Sequence, residues 1–146
     1  MALRSFRFVV YDKPTPLARP RFARTKVGVR TYTVQKDQNA RLHIRHAWYG
    51  QLELQSIDVS ERLDGPIRLT VTAYVPMPKS IPKKKQATAM PVTRPDLDNY
   101  VKQVEDALLG YAYRDDAQIV TIVARKRYGE PPRWEITLDE IELVTD

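Results

Sequence analysis

The chain has 146 residues, a formal net charge of +6 and no cysteine, a length that forms one domain with a modest core and leaves no route to a disulfide framework or a thiolate metal site. No apolar run approaches the roughly 20 residues that span a bilayer, and Met1-Ala2-Leu3-Arg4-Ser5 lacks a signal-peptide core, so a soluble, cytoplasmic protein is expected. Charge is unevenly spread, with +9 over residues 1–45, −2 over 46–75, +5 over 76–95 and −6 over 96–146; two basic blocks and an acidic one fit a polyanion-binding surface facing a carboxylate site, against the blander reading of a solvated basic face.

In chain order, Arg4 to Val10 alternates, with Phe6, Phe8 and Val10 on one side, and predicts a strand with one buried face. Residues 11–33 are rich in Pro, Arg and Thr without a period and read as an extended basic segment or loose hairpin. Thr33 is placed to cap a helix from about Val34 to Leu54, with Ala40, Ile44, Ala47, Trp48 and Gln51 at helical spacing. Pro66 to Val75 alternates again and predicts a second strand. Residues 76–92 combine prolines with Lys83-Lys84-Lys85 and read as a long, flexible, basic loop without regular structure.

The spacing of Leu97, Val101, Val104 and Leu108 predicts a second main helix from Leu97 to Leu109, ended by Gly110, with Asp98, Lys102 and Asp106 on a neighbouring stripe. Gln118–Tyr128 and Arg133–Leu143 close the chain as two strands joined by a Gly129-Glu130-Pro131-Pro132 turn. This order predicts a single α/β (α+β) domain over residues 1–146, one mixed sheet packed with two main helices.

The chemistry concentrates in Arg94-Pro95-Asp96-Leu97-Asp98-Asn99, Lys102 and Asp115-Asp116. Clustered carboxylates repel unless something positive lies between them, and a hard divalent cation with oxygen ligands suits that role. Asp96 and Asp98, two apart in an extended lead into a helix, can face one point. Helix capping explains one of them, by a few tenths to about 1 kcal/mol, and Asp is a common turn residue, which is the plain account of Asp115-Asp116. If the strand after Asp116 lies beside that helix start, Asp96, Asp98 and Asp116 together can hold Mg²⁺, a combination suited to phosphodiester hydrolysis. Lys102 would neutralise a phosphate oxygen or the leaving group; the alternative is an i,i+4 pair with Asp98 worth under about 0.5 kcal/mol.

The string Arg94-Pro95-Asp96-Leu97-Asp98-Asn99, with Lys102, Asp106-Ala107-Leu108 and Asp115-Asp116-Ala117-Gln118, closely resembles the RusA family of Holliday junction resolvases. Pro14-Thr15-Pro16-Leu17-Ala18-Arg19-Pro20-Arg21-Phe22 and Lys126-Arg127-Tyr128-Gly129 are similar to its phage and prophage members. The resemblance implies a homodimeric, Mg²⁺-dependent endodeoxyribonuclease, with Mn²⁺ able to substitute, that nicks four-way junctions symmetrically in DNA recombination and repair. It puts the catalytic aspartates on Asp96, Asp98 and Asp116, the functional lysine on Lys102, and Asp115 beside the site. The segment Leu109–Arg114 is shorter, and the loop Pro76–Val92 longer, than in the best-known member. A two-fold protein presents two identical sites to a pseudo-two-fold substrate, which suits paired cuts.

Arg19, Arg21, Arg24, Lys26 and Arg30, interleaved with Phe22 and Tyr32, are expected to contact the DNA backbone, together with Lys83, Lys84, Lys85 and Arg94. Phe22 or Tyr74 is a candidate wedge at a junction centre, with core packing as the alternative. His43 and His46 read as partly exposed helix residues, and Trp48 and Trp134 as core. No membrane partner or small-molecule cofactor is expected. A non-catalytic binder of branched DNA is the competing function, and a metal-dependent nucleotide hydrolase a third that leaves the extended basic blocks without a purpose.

Overall fold

In a computed structural model of the chain, residues 3–17, 21–25, 28–32 and 35–143 are described, the two short stretches by their backbone. Strand β1 spans Ser5–Val10, β2 Arg21–Thr25 and β3 Gly28–Tyr32; helix α1 follows at Gln35–Leu54. Then come β4 at Ile67–Val75, the short helix α2 at Lys83–Gln86, α3 at Leu97–Leu108, a 3-10 turn at Asp116–Gln118, β5 at Ile119–Tyr128 and β6 at Arg133–Glu140. The result is an α+β domain: a mixed four-stranded sheet in the order β1-β6-β4-β5, three helices and a separate β2-β3 hairpin.

β6 runs antiparallel to both β1 and β4, while β4 and β5 are parallel. Register aligns Phe6 with Leu138, Phe8 with Ile136 and Val10 with Trp134. It also aligns Leu138, Ile136 and Trp134 with Leu69, Val71 and Ala73. Because side chains alternate across a strand, this puts these buried residues of the three strands on one face. Helices α1 and α3 cover that face. The four-residue spacing of Ala40, Ile44, Trp48 and Leu52 makes the buried stripe of α1, and Trp48 meets Phe6 and Phe8 edge-on at 5.0 and 6.0 Å. Tyr100 of α3 packs edge-on against Trp134 at 5.8 Å. Both tryptophans are core, as expected. Ala47 and Gln51 are only half-buried, because Leu52 completes the stripe.

Several expected bounds shift, by one residue at the starts of β1, β4 and β5 and further elsewhere. The basic loop holds a regular element, since Pro82 fixes the backbone at the start of α2 and the lysine run that follows favours helix. β6 ends at Glu140 rather than Leu143, and α3 ends at Leu108 rather than Leu109. Of the two readings of residues 11–33, an extended segment or a loose hairpin, the hairpin is present as β2-β3, paired from Arg21↔Tyr32 to Thr25↔Gly28. The Thr33 cap lies outside the described residues.

Candidate active site

Helix α3 is flanked by two turns that carry the acidic residues, and each is held by a different device. At its start, Asp96 is the N-cap residue with extended backbone (φ −69°, ψ 146°), yet its side chain makes no capping hydrogen bond. Asp98 lies in the first turn, and both carboxylates are exposed. The helix N-terminus favours their charge. What fixes this segment is its backbone: the Lys126 ammonium on β5 donates to the carbonyls of Thr93 and Pro95, each at 2.9 Å. A third anchor comes from the Leu17 amide, which donates to the Asn99 carbonyl at 3.0 Å. Arg94, Pro95, Asp96 and Asn99 line an open hollow of about 540 Å³.

At the far end, Gly110 takes φ +82°, a conformation that strains residues with a Cβ, and so stops the helix. The chain turns back with Tyr113 fully buried, its hydroxyl donating to the Glu105 carbonyl at 2.8 Å. Asp115 and Asp116 then part ways. Asp115 caps the 3-10 turn, accepting from the Ala117 amide at 2.9 Å, while the Gln118 side-chain oxygen accepts from the Asp115 amide at 3.0 Å. The Gln118 amide group donates to the carbonyls of Leu63 and Gly65, at 2.7 and 3.1 Å, and so pins the turn to the loop before β4. Asp115 is therefore a capping residue. Asp116 projects its Oδ1 into a buried position with no hydrogen-bond partner.

That burial raises the Asp116 pKa; the Tyr113 hydroxyl opposes the rise, and the charges of Asp106 and Asp115 add to it. Glu105 is raised as well, first by burial, then by Asp116 and Asp106, with the Lys102 charge pulling it down. Tyr113 is pushed far above the ordinary phenol range by burial and by Asp116. Asp116 thus lies in the field of the C-terminal half of α3. The helical spacing puts Asp106 on the stripe with Asp98 and Lys102 but gives Glu105 and Tyr113 no role. Lys102 is exposed, and among the described residues it forms no ion pair with Asp98, so the i,i+4 bridge is not its use here.

Among the described residues, no three His, Asp or Glu side chains converge closely enough to enclose a cation by themselves. Mg²⁺ does not require such a preformed cage, since it keeps several waters and completes its shell with substrate phosphate oxygens. A buried carboxylate oxygen without a donor is costly unless something positive faces it, so Asp116 fits a cation ligand. The uncommitted carboxylates of Asp96 and Asp98 fit the same role.

Of the expected DNA contacts, Arg94 is exposed at the hollow beside Asp96, and Lys83, Lys84 and Lys85 make up most of α2, exposed. Arg21 and Arg24 fall on β2 and Arg30 on β3, while Arg19 and Lys26 lie outside the described residues. Tyr74 stacks under the Arg133 guanidinium at 4.0 Å and fills the space a Cβ on Gly129 would occupy, which supports packing over the wedge reading. His43 is an exposed helix residue paired with Asp12. Lys126 has a part that sequence reasoning does not assign; the signal is a cation in register with the buried Ala73. No helix among the described residues is long and apolar enough to cross a membrane.

The sequence profile described as Endodeoxyribonuclease RusA matches residues 12–139. The chain is 34% identical over 149 aligned residues to a Bacillus subtilis (strain 168) protein named Uncharacterized protein YqaN, covering 92% of this chain and 96% of that one. It is 38% identical over 78 residues to a Lactococcus phage r1t protein named Crossover junction endodeoxyribonuclease rusA, covering 52% of this chain and 56% of the phage protein. These matches put the chain among the endodeoxyribonucleases. More narrowly, it belongs to the RusA family.

Proposed function

We propose that the protein is a Mg²⁺-dependent endonuclease that resolves four-way DNA junctions by paired, symmetric nicks, acting as a homodimer in recombination and repair. Asp96, Asp98 and Asp116 would hold the metal, with Mn²⁺ able to replace it. The observation that carries this reading is the buried, partnerless oxygen of Asp116 in a chain of this family. When bound, the metal supplies a water of lowered pKa and offsets charge gathering on the scissile phosphate.

The chain's own residues do the rest. The backbone grip of Lys126 on Thr93 and Pro95 orients the Asp96 segment before substrate arrives. The Lys102 ammonium stands on the α3 face that carries Asp98 and neutralises a phosphate oxygen or the departing oxygen. Arg94, at the hollow beside Asp96, and the lysines of α2 hold phosphates of the duplex arms. Two identical sites in a dimer match the two strands of like polarity that must be cut.

The test is a nicking assay on a labelled synthetic four-way junction beside a linear duplex, in Mg²⁺ or in EDTA. Paired cuts confined to the junction and dependent on Mg²⁺ are expected. Tight junction binding without cleavage in Mg²⁺ or Mn²⁺ would replace this reading with a non-catalytic branched-DNA binder.

A further inference from the structure

A second cavity, of about 240 Å³, adjoins the Asp96 hollow, and the two share Arg94 and Pro95 in their linings. Its lining has a distinctive chemistry. Pro76, Pro91, Tyr100 and Tyr128 give it flat, rigid apolar and aromatic walls, and Lys13 and Arg94 are exposed cations at its edge. Among the described residues, no carboxylate lines it. Lys126, the remaining cation of the lining, is already committed to the Thr93 and Pro95 carbonyls.

Flat apolar walls with cations and no acid select a ligand that is planar at one end and anionic at the other. The cavity holds about eight waters at roughly 30 Å³ each, room for one nucleobase with part of its sugar and too little for a base pair. Such an occupant is available at a four-way junction, where nucleotides at the exchange point lack a continuous stack and unstacking is cheapest. Base–aromatic stacking is sequence-tolerant in itself, so discrimination would come from the fit of the base between the walls.

We infer that this cavity receives a single unstacked nucleotide of the junction strand, next to the phosphate that is cut. Tyr128 stacks on the base, and Lys13 and Arg94 hold its flanking phosphates. The inference rests on the junction-cutting function proposed above and deepens it: the pocket makes cleavage depend on a nucleotide that can be extruded beside the scissile bond. It also gives the shared Arg94-Pro95 segment a second purpose, since a nucleotide seated in this cavity brings the adjoining phosphate to the neighbouring hollow lined by Asp96.

The experiment places 2-aminopurine at successive positions around the exchange point of a synthetic junction and reads its emission on adding the full-length protein in EDTA, where nothing is cut. A several-fold rise at one position near the exchange point is expected with the wild type. Tyr128→Ala and Lys13→Ala should both lose most of it, with the lost stacking of Tyr128→Ala lowering junction affinity by roughly 5- to 150-fold; Lys13 is exposed, so its variant is free of folding effects. A bound junction with no rise anywhere, or a rise equal in all three proteins, would overturn the assignment while leaving the junction function standing. Failure of all three proteins to bind the junction would overturn that function and this inference with it. Free 2-aminopurine deoxynucleoside monophosphate, already unquenched in solution, should keep its emission, and its quenching by the wild type but not by Tyr128→Ala would reassign the pocket to free nucleotides.

Discussion

The two turns that flank α3 solve opposite problems. At the start of the helix, the carboxylates of Asp96 and Asp98 are exposed and uncommitted, and the backbone around them is tied down by Lys126 and Leu17. After it, the turn fixes itself through side chains: Asp115 and Gln118 close a capping box, Gln118 reaches back to Leu63 and Gly65, and Asp116 is left with a buried oxygen that nothing satisfies. The first region depends on an outside strut for precision. The second is rigid by its own contacts and carries an unfavourable charge. A site drawn from both has exposed, uncommitted acceptors on one side and a preset, underpartnered one on the other.

The largest effect should come from the exposed side. Asp98→Asn removes a carboxylate proposed to face the metal without touching the core, so cutting should fall by roughly a thousandfold or more, as expected when several kcal/mol of transition-state stabilisation is lost. Junction binding should hold or tighten, because a negative charge near phosphate is gone. Cleavage rates within a small factor of wild type would break the assignment.

The neighbouring aspartates offer a sharper contrast. Asp116→Asn should also abolish cutting, but it should stabilise the metal-free protein. The sign follows from linkage: a carboxylate raised in the folded state is stabilising below its unfolded pKa, and that contribution is lost as pH rises through the folded value. At pH 8 the variant escapes the penalty and should melt higher than wild type, with the gap closing as pH falls. Asp115→Asn keeps an oxygen acceptor for the cap and should stay near wild type in cutting and melting. Equal losses in the two variants would erase the distinction between cap and ligand.

Lys126→Met removes the strut while keeping the stem of the side chain. By analogy with groups that orient metal ligands, a loss of roughly 10–100-fold in activity is expected, with more Mg²⁺ needed for half-maximal rate. The smallest effect concerns binding alone. Replacing Lys83, Lys84 and Lys85 by Ala should flatten the salt dependence of junction binding by about 0.9 in the log–log slope for each phosphate that α2 no longer neutralises, measured by fluorescence anisotropy across a salt series. An unchanged slope would take α2 out of the DNA surface.

Much of this is legible in the sequence because local pattern and burial agree. The alternation in β1 and β4, the stripe of α3 and the core tryptophans all follow from apolar residues at the period of their element. Strand order is not legible, since β6 inserts between β1 and β4 through pairings more than a hundred residues apart in sequence for β1. β5 hides its inner face for a geometric reason. A register shift near its start pairs Ile67 with Ile119 but Arg68 with Thr121, which reverses the alternation, and Lys126 ends in line with Ala73. Without that bulge, the strut reads as one more solvent-facing lysine. The division of labour between Asp115 and Asp116 is likewise open in the sequence, because either can cap a turn and the capping box depends on Gln118 reaching back to the Asp115 amide.

The central claim is that the two flanks of α3 contribute to one metal site. Mn²⁺ binding followed by electron paramagnetic resonance in wild type, Asp98→Asn and Asp116→Asn tests it most directly. One class of tight site is expected in the wild type, and both substitutions should weaken it strongly. Wild-type Mn²⁺ affinity in either variant would contradict it, and would confine the metal to the other flank.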